Sequence, residues 1–174
     1  MIFREMTRSE IDQIWGIDRR EVIEHVYYRE NGSLTLKPEH YDMQGWPQGE
    51  AAIYTPLLYA AFDRGGWLYG VFNDTTLIGC AVLDNKFLGK NKDQLQLKFL
   101  HVSRDYRKHG LGRKLFNLAS EEALKRGAKQ LYISATPSEN TINFYLNLGA
   151  TVTEELDPEL YHLEPDDIHL VCNI

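Results

Sequence analysis

The sequence predicts a single α/β domain in which helices flank a mixed β-sheet. Its 174 residues are enough to form one domain with a complete core, and 43% of them are apolar. Helix-type apolar spacing is followed, from residue 67 onward, by strand-type runs that alternate with further helices. A basic, glycine-rich turn at residues 107–115 joins one of these strands to a helix. This alternation favours an α/β fold over an all-helical or all-strand one.

The first two elements are predicted to be a strand over residues 1–6 and a helix that follows it. Thr7 and Glu10 match the capping box, in which a threonine and a glutamate three residues apart satisfy backbone N–H groups at a helix start. The apolar residues that follow recur at helical spacing. We expect the helical pattern to resume over residues 18–28.

The next segment, residues 31–48, is predicted to be irregular and polar. It contains two prolines and two glycines, which interrupt regular elements. A helix is predicted over residues 50–64, and Gly65 should end it. Helices and loops are therefore expected to dominate residues 20–65.

Strand patterns dominate the middle of the chain. Residues 67–73 and 76–84 are predicted to pair as a hairpin around an Asn-Asp-Thr-Thr turn. A second turn follows at residues 89–93, and residues 95–102 are predicted to form the strand that leads into the glycine-rich turn.

The C-terminal part is predicted to alternate helices and strands. The helix after the glycine-rich turn should end at Gly127, and Ser138 should cap a second helix that ends at Gly149. The predicted strands of this part cover residues 130–135, 150–155 and 167–172.

Charge is distributed unevenly along the chain. The formal net charge of −6 disfavours general nucleic-acid binding, because a nucleic acid is itself a polyanion. Residues 130–174 contain eight acidic residues and no lysine or arginine. A cationic acceptor could approach this acidic stretch while an anionic cofactor binds the basic turn; alternatively, the acids only solvate the surface.

Several broad classes of protein are not expected from this sequence. No run of about 18 apolar residues is present, so we expect no membrane span. The N-terminus lacks the apolar core of a signal peptide, so a cytoplasmic protein is the expectation. Cys80 and Cys172 lie far apart and fit neither a disulfide framework nor a metal cluster. We interpret both as buried apolar residues and assign no metal site.

The turn at residues 107–115 reads Arg-Lys-His-Gly-Leu-Gly-Arg-Lys-Leu and is typical of a phosphate site. Unpaired N–H groups and the helix dipole attract an anion at a helix start, and Gly110 and Gly112 allow it to approach the backbone closely. No Gly-x-x-x-x-Gly-Lys-Ser/Thr string of a P-loop occurs, and Leu115 stands where a dinucleotide-binding turn needs its third glycine. The positive charges around the turn are those of Arg104, Arg107, Lys108, Arg113 and Lys114.

The remaining pattern, Arg-x-x-Gly-x-Gly at residues 107–112, resembles the coenzyme A pyrophosphate loop of the GNAT N-acetyltransferase superfamily. A second matching motif follows at the expected spacing, where Phe144 and Tyr145 precede Leu-Asn-Leu-Gly. The resemblance extends over residues 67–153. It implies that residues 1–174 form one N-acetyltransferase domain whose central sheet is mixed and mostly antiparallel.

A member of this superfamily would transfer the acetyl group of acetyl-CoA to a primary amine, which attacks the thioester directly. The acceptor implied is an amine on a small molecule or a peptide, with no nucleic-acid or membrane partner and no metal. The sequence does not determine the oligomeric state, and a homodimer is possible. Two alternatives remain: a coenzyme A binding or sensing domain without transfer activity, and an acyltransferase that uses a larger acyl-CoA.

The resemblance also implies which residues bind the cofactor. The strand end at residues 100–102 would bond to the pantetheine arm and the acetyl carbonyl through its backbone, and main-chain N–H groups of the turn would hold the pyrophosphate. Ser138 stands where many relatives carry an asparagine, and Asn140 lies two positions further on. The implied cofactor-binding residues are Leu100, His101, Val102, Arg107, Lys108, His109, Gly110, Leu111, Gly112, Arg113, Ser138 and Asn140.

Tyr145 matches the general-acid tyrosine of the superfamily. Attack on the thioester expels a thiolate whose pKa, if it resembles cysteine, is about 8.5, compared with about 10 for tyrosine. Full proton transfer would be uphill by about 2 kcal/mol, so a positioned hydroxyl can act as a hydrogen-bond donor to the leaving sulfur. The alternative is that Tyr145 only packs beside Phe144.

A general base is not evident from the sequence. Gln96 stands where some relatives carry a catalytic glutamate, and a glutamine cannot take a proton. A water relay, Asp84, His101 or an amine that is already neutral could fill this role. Because a lysine with a pKa of about 10.4 needs a base more than an α-amine with a pKa of about 8, the glutamine favours acceptors of lower pKa.

Relatives commonly receive the acceptor over their early helices and connections, which correspond here to residues 20–65. This region is rich in aromatic side chains, which can hold a cation or an apolar group. We predict that Tyr41 and Trp46 contact the ligand, whereas Tyr54 and Tyr59 face the core from a helix.

Overall fold

The computed structural model describes residues 1–174 as nine strands and four α-helices. The strands are β1 (Ile2–Glu5), β2 (Glu21–Glu30), β3 (Ser33–Met43), β4 (Trp67–Asn73), β5 (Thr76–Leu88), β6 (Gln94–Val102), β7 (Gln130–Ala135), β8 (Thr151–Val152) and β9 (Ile168–Asn173). The helices are α1 (Glu50–Asp63), α2 (Leu111–Lys125), α3 (Glu139–Leu146) and α4 (Pro158–Leu163), with short 3-10 helices over Arg8–Gly16 and Arg104–Tyr106.

Seven of the strands form one sheet in the order β1-β4-β5-β6-β7-β9-β8, while β2 and β3 pair separately as a two-stranded ribbon. Every neighbouring pair in the sheet is antiparallel except β6 and β7, which run parallel. This arrangement confirms the predicted α/β domain with a mixed, mostly antiparallel sheet. None of its helices is long and apolar enough to cross a membrane.

Two hydrophobic cores cover the two faces of the sheet. The larger core packs α2 and α3 against the sheet and includes the fully buried Leu115 and Ile142. The second core lies under the N-terminal 3-10 helix and α1, where Ile11, Ile14 and Leu58 are fully buried. Burial of both faces is what fixes the register of the central strands, since a shift of one residue would exchange their faces.

The first elements largely follow the predictions. β1 forms, and the backbone N–H of Thr7 donates to the Glu10 carboxylate at 2.8 Å, as the capping box requires. The helix that follows is a 3-10 helix. Glu50–Asp63 is helical, and Gly65, with φ of 89°, follows its end.

The predicted helix over residues 18–28 is wrong, and so is the predicted irregular segment after it. These residues form β2 and β3, which pair around Asn31 and Gly32. The φ angles of 51° and 79° at these two positions are those of the Asn-Gly hairpin turn, which twists in the sense that paired strands need. Pro38 is tolerated because a two-stranded ribbon leaves one edge of each strand unpaired.

The remaining strands and helices occur where the sequence predicts them, with small differences at their ends. β5 continues to Leu88, four residues beyond its predicted end, and β8 is limited to Thr151–Val152. The short helix α4 was not predicted; Pro158 begins it, and the Asp157 side chain accepts from two backbone N–H groups. Cys80 and Cys172 are free and buried, as expected.

Candidate active site

The two parallel strands separate after a short stretch of pairing and open a cleft between them. β6 and β7 pair only from Gln94 to Gln96 on β6, opposite Gln130 to Tyr132 on β7. Beyond this point β6 continues to Val102 with β5 as its only partner strand. The cleft has a volume of about 1650 Å³, well above the ~300–1,000 Å³ of an ordinary small-ligand pocket. It can therefore accommodate two substrates at once.

The predicted strand end lines this cleft with an edge that has no strand partner. Leu100, His101 and Val102 all border the cleft, and their other edge pairs with β5 at Ala81, Cys80 and Gly79. A free strand edge presents alternating N–H and C=O groups. An extended amide-containing chain can add to such an edge as an additional strand would.

The glycine-rich turn presents a run of unpaired backbone N–H groups to the same cleft. From Lys108 to Arg113 no backbone N–H donates to a backbone acceptor, whereas Lys114 returns to the helical pattern by donating to Gly110 at 3.0 Å. Lys108 and Gly110 have positive φ angles of 63° and 80°. Alternation of left-handed and right-handed backbone conformations turns successive N–H groups toward one point. This forms an anion-binding nest at the start of α2.

The basic side chains of the turn have different surroundings. Arg107 points back into the protein, where its guanidinium donates to three backbone carbonyls: Val102 at 2.8 Å, Asp18 at 3.1 Å and Arg20 at 3.2 Å. Lys108 and Arg113 are exposed at the rim of the cleft. Arg107 therefore shapes the turn, while Lys108 and Arg113 leave their charges available to an anion.

The other three residues of the turn in the predicted cofactor site differ in whether they face the cleft. Gly112 faces the cleft, and a Cβ atom there would lie 3.4 Å from the Phe144 ring. His109 is exposed and does not border the cleft. Leu111 packs against the larger hydrophobic core, so its backbone N–H, not its side chain, is available to a ligand.

Ser138 and Asn140 border the cleft, but both side chains already have protein partners. The Ser138 hydroxyl accepts from the backbone N–H of Thr141 at 3.4 Å and donates to the Thr141 hydroxyl at 2.9 Å, which caps α3 as predicted. The Asn140 amide donates to Glu21 of β2 at 3.0 Å. In this arrangement Ser138 orients α3, and Asn140 ties it to the ribbon.

Tyr145 lies on the wall of the cleft with only 6% of its surface exposed. Its ring packs against Phe144 and Phe116, at centroid distances of 5.1 and 6.2 Å. Its hydroxyl, in contrast to those of Tyr27, Tyr54 and Tyr132, takes part in no hydrogen bond within the protein. Burial, and to a smaller extent the negative charge of Asp167, raises the pKa of this hydroxyl. The Tyr145 hydroxyl is therefore protonated at neutral pH and has no partner within the protein.

None of the residues that the sequence offered as a base is suited to that role. Gln96 is 5% exposed and does not border the cleft. Asp84 lies outside the cleft, where an ion pair with Arg64 at 2.6 Å and the charge of Lys98 outweigh burial and lower its pKa. Burial, with the charges of Arg19 and Arg107, lowers the pKa of His101 to about 3, so its imidazole binds a proton only weakly.

A carboxylate that the sequence did not single out borders the cleft beside Tyr145. Asp167 immediately precedes β9, at the end of β7 where the cleft opens, and accepts a hydrogen bond from the Ser134 hydroxyl at 3.3 Å. Burial and the nearby charge of Glu164 raise its pKa from 3.8 to about 7. In the sequence Asp167 is one of eight acids in a long acidic stretch, and only the fold distinguishes it from its neighbours.

The ribbon formed by β2 and β3 closes the side of the cleft opposite the sheet. It is fastened to α3, because Tyr27 donates to the Asn143 side chain at 2.8 Å and its backbone N–H donates to Pro137 at 2.7 Å. The aromatic side chains of residues 20–65 that border the cleft are Tyr27, Tyr28 and Tyr41 on the ribbon and Tyr54 on α1.

One expectation about these aromatic residues is wrong. Trp46 packs against the second core, 4.8 Å from the Trp15 ring, and its indole N–H donates to the Ile17 carbonyl at 2.9 Å. Tyr54 and Tyr59 pack against the same core as expected, and Tyr54 also borders the cleft, where it donates to Glu164. The reason is that residues 44–49 return along the N-terminal 3-10 helix, which carries Trp46 into the core and turns one side of α1 toward the cleft.

Comparison with known proteins gives one consistent result. The sequence profile of the acetyltransferase (GNAT) family matches residues 27–150. Among solved structures, nourseothricin acetyltransferase is 20% identical with a TM-score of 0.71, and the match covers 99% of this chain and 97% of that one. A protein assigned as a streptothricin acetyltransferase from Bacillus anthracis strain Ames, solved with acetyl coenzyme A, is 17% identical with a TM-score of 0.73 and coverages of 99% and 98%. The ribosomal-protein-S18-alanine N-acetyltransferase from Escherichia coli is 15% identical, with a TM-score of 0.58 and coverages of 99% and 93%.

Proposed function

Because the chain belongs to the GNAT acetyltransferase family, we propose that it transfers an acetyl group from acetyl-CoA to a primary amine by direct attack on the thioester. The observation that carries this proposal is the placement of three features in one cleft. These are the unpaired N–H groups of residues 108–113, the free strand edge at residues 100–102, and the Tyr145 hydroxyl.

These features match the parts of acetyl-CoA in order. The nest at the start of α2 suits a pyrophosphate, since it offers several N–H donors and the positive end of a helix dipole. The free edge of β6 suits the amide groups of the pantetheine arm. The thioester would then lie where β6 and β7 separate, near Tyr145, which follows from the position of α3 directly after β7.

Tyr145 is the residue that we assign to the leaving group. As the acceptor nitrogen attacks the acetyl carbon, the C–S bond breaks and negative charge develops on sulfur. A phenol with a raised pKa stays protonated throughout the neutral range and donates a hydrogen bond to that sulfur. Its raised pKa makes complete proton loss less favourable than for an ordinary tyrosine, so its contribution comes mainly from the hydrogen bond.

The acceptor end of the cleft favours an amine that carries positive charge. Glu164 and Asp166 border it together with the aromatic ring of Tyr54, while the charge of Glu50 is paired with Arg19. Carboxylates and aromatic faces both attract an ammonium group. This supports a small-molecule or peptide amine as the acceptor, and the full-length likeness to nourseothricin and streptothricin acetyltransferases gives those compounds a place among the acceptors to test.

Release of free thiol from acetyl-CoA tests the proposal. The purified protein would be assayed with acetyl-CoA and a panel of amines that includes nourseothricin, streptothricin, polyamines and a peptide with an N-terminal alanine. We expect acceptor-dependent thiol release together with an acetylated product detected by mass spectrometry. Saturable acetyl-CoA binding without release for any amine would favour the binding or sensing alternative, and faster release from a longer acyl-CoA would favour the larger acyl donor.

A further inference from the structure

The side chain of Asp167 borders the cleft, and its charge acts on the Tyr145 hydroxyl in the same cleft. We propose that Asp167 is the general base that removes a proton from the acceptor ammonium group. This inference rests on the proposed transfer to an amine. It assigns the base that Gln96, Asp84 and His101 cannot supply.

The position of Asp167 is held by a hydrogen-bonded turn. Its backbone N–H donates to the Glu164 carbonyl at 3.3 Å, and the Nε2–H of His169 donates to the same carbonyl at 3.1 Å. The other His169 nitrogen accepts from the buried Tyr132 hydroxyl at 2.7 Å, which fixes the tautomer. Tyr132 is itself oriented, because its oxygen accepts from the backbone N–H of Asp157 at 3.1 Å.

The other carboxylates that border the cleft either have stronger partners or, in the case of Asp166, are exposed to water that solvates their charge. Glu50 forms an ion pair with Arg19 at 2.7 Å, and Glu21 accepts from Asn140. Glu39 and Glu164 accept from tyrosine hydroxyls. Asp167 accepts only one hydrogen bond, at 3.3 Å from Ser134. A carboxylate with so little stabilisation of its charge accepts a proton more readily than its neighbours do.

The net effect of the surroundings of Asp167 is to raise its pKa. Burial has the largest effect on its pKa, and the Glu164 carboxylate adds to it, while the Ser134 hydrogen bond and the Arg19 charge oppose the rise. An ordinary aspartate would be a base about 10³-fold weaker than a carboxyl with a pKa of about 7. The titratable and charged groups that face Asp167 are Arg19, Glu50, Tyr54, Tyr145, Glu164 and His169.

The proposed step balances in atoms and charge. Asp167 takes one proton from the R–NH3⁺ group and becomes a neutral carboxyl, which leaves a nitrogen lone pair that bonds to the acetyl carbon. The C–S bond breaks, and Tyr145 donates to the departing sulfur. The second nitrogen proton then passes to the sulfur, which becomes the thiol, and Asp167 returns its proton to solvent. The products are the amide, coenzyme A thiol and one released proton.

The test compares Asp167→Asn with Glu154→Gln, because Glu154 is exposed, does not border the cleft and loses the same charge in this change. Both variants would be assayed from pH 6 to pH 9 with an acceptor on which the wild-type protein is active. We expect Asp167→Asn to lower kcat/KM for the amine by about 10²-fold at pH 7, with the KM for acetyl-CoA unchanged. Glu154→Gln should remain within about threefold of wild type.

Two further measurements separate a base from a positioning residue. We expect the acidic limb of the wild-type profile, near pH 7, to disappear in Asp167→Asn and to move to lower pH in Glu164→Gln, which removes a charge that raises the Asp167 pKa. Acceptors of low pKa, already neutral at pH 7, should lose much less rate in Asp167→Asn than lysine-like amines do.

An Asp167→Asn variant that keeps both its rate and its acidic limb would overturn this assignment and leave the proposed function intact. Equal losses for acceptors of low and high pKa would also overturn it, because only proton removal depends on the acceptor pKa. If the wild-type protein releases no thiol with any amine, the proposed function fails, and the assignment of Asp167 fails with it.

Discussion

The Arg107 guanidinium donates to the backbone carbonyl of Val102 at 2.8 Å and so connects the start of the glycine-rich turn to the end of β6. The same side chain reaches the carbonyls of Asp18 and Arg20, in the segment that leads into the ribbon. One side chain thus holds together the strand edge, the anion-binding nest and the opposite wall of the cleft. This explains why an arginine begins the motif although its charge is directed away from the anion.

We expect Arg107→Ala to lower the free energy of unfolding by about 2 kcal/mol, because hydrogen bonds from a charged donor contribute more than neutral ones. Affinity for acetyl-CoA should fall as well, since the nest loses its support. Arg113→Ala is the matched control: this exposed side chain has no protein partner, so stability should stay within about 0.5 kcal/mol. Thermal unfolding and calorimetry measure both effects, and equal stabilities for the two variants would contradict the structural role of Arg107.

Gly112→Glu should prevent acetyl-CoA binding more completely than Lys114→Ala. A side chain at position 112 projects into the cleft toward Phe144, and a carboxylate there repels the pyrophosphate. The Lys114 ammonium, in contrast, lies over the Phe3 ring at 3.6 Å and does not border the cleft. Calorimetric titration with acetyl-CoA distinguishes the two variants, and similar losses would mean that the glycine only shapes the turn.

Acetyl-CoA affinity should weaken with salt, but only moderately. The exposed charges of Lys108 and Arg113 are screened by salt, whereas the backbone N–H groups at the start of α2 carry only partial charges at short range. We expect a several-fold rise in Kd between ~0.05 and ~0.5 M NaCl. The Arg113→Ala variant should show a shallower dependence; an unchanged dependence would argue against a contribution from this side chain.

Asp167→Asn should stabilise the protein at alkaline pH. The Asp167 pKa is raised from 3.8 to about 7, so below pH 4 this carboxyl does not lower the free energy of unfolding. Between pH 4 and pH 7 the carboxyl ionises in the unfolded chain but stays protonated in the folded one, and the free energy of unfolding falls. The stabilisation by asparagine should therefore be larger at pH 8 than at pH 5, by about 3 kcal/mol. Chemical denaturation at the two pH values measures this difference. A pH-independent effect would show that Asp167 has an ordinary pKa.

Much of the sheet could be predicted because its strands are buried. Gln130–Ala135 and Gln94–Val102 are rich in buried apolar residues and are flanked by turns, so local pattern and tertiary packing agree. The ribbon could not be recognised from periodicity, because most of its side chains are exposed and it has little apolar alternation. The Asn31-Gly32 dipeptide was the signal that marked it.

In the candidate site, too, residues that belong to local motifs could be predicted, and residues placed by contacts between distant parts of the chain could not. The nest and Tyr145 belong to short motifs whose spacing fixes their geometry, so residue types alone locate them. Asp167 becomes notable only when β9 lies beside β7 and places it at the opening of the cleft, a relationship between distant parts of the chain. For Trp46 the decisive factor was the path of residues 44–49, which aromatic composition does not reveal.

Turnover of Tyr145→Phe tests the central claim most directly, because phenylalanine keeps the ring packed against Phe144 and Phe116 and removes only the hydroxyl. The hydroxyl has no protein partner, so its removal should leave thermal stability and acetyl-CoA affinity nearly unchanged. We expect kcat to fall by about 10²-fold or more in a thiol-release assay with a saturating acceptor. Turnover equal to that of the wild-type protein under the same conditions would contradict the assignment of Tyr145 as the acid and, with it, this account of the cleft.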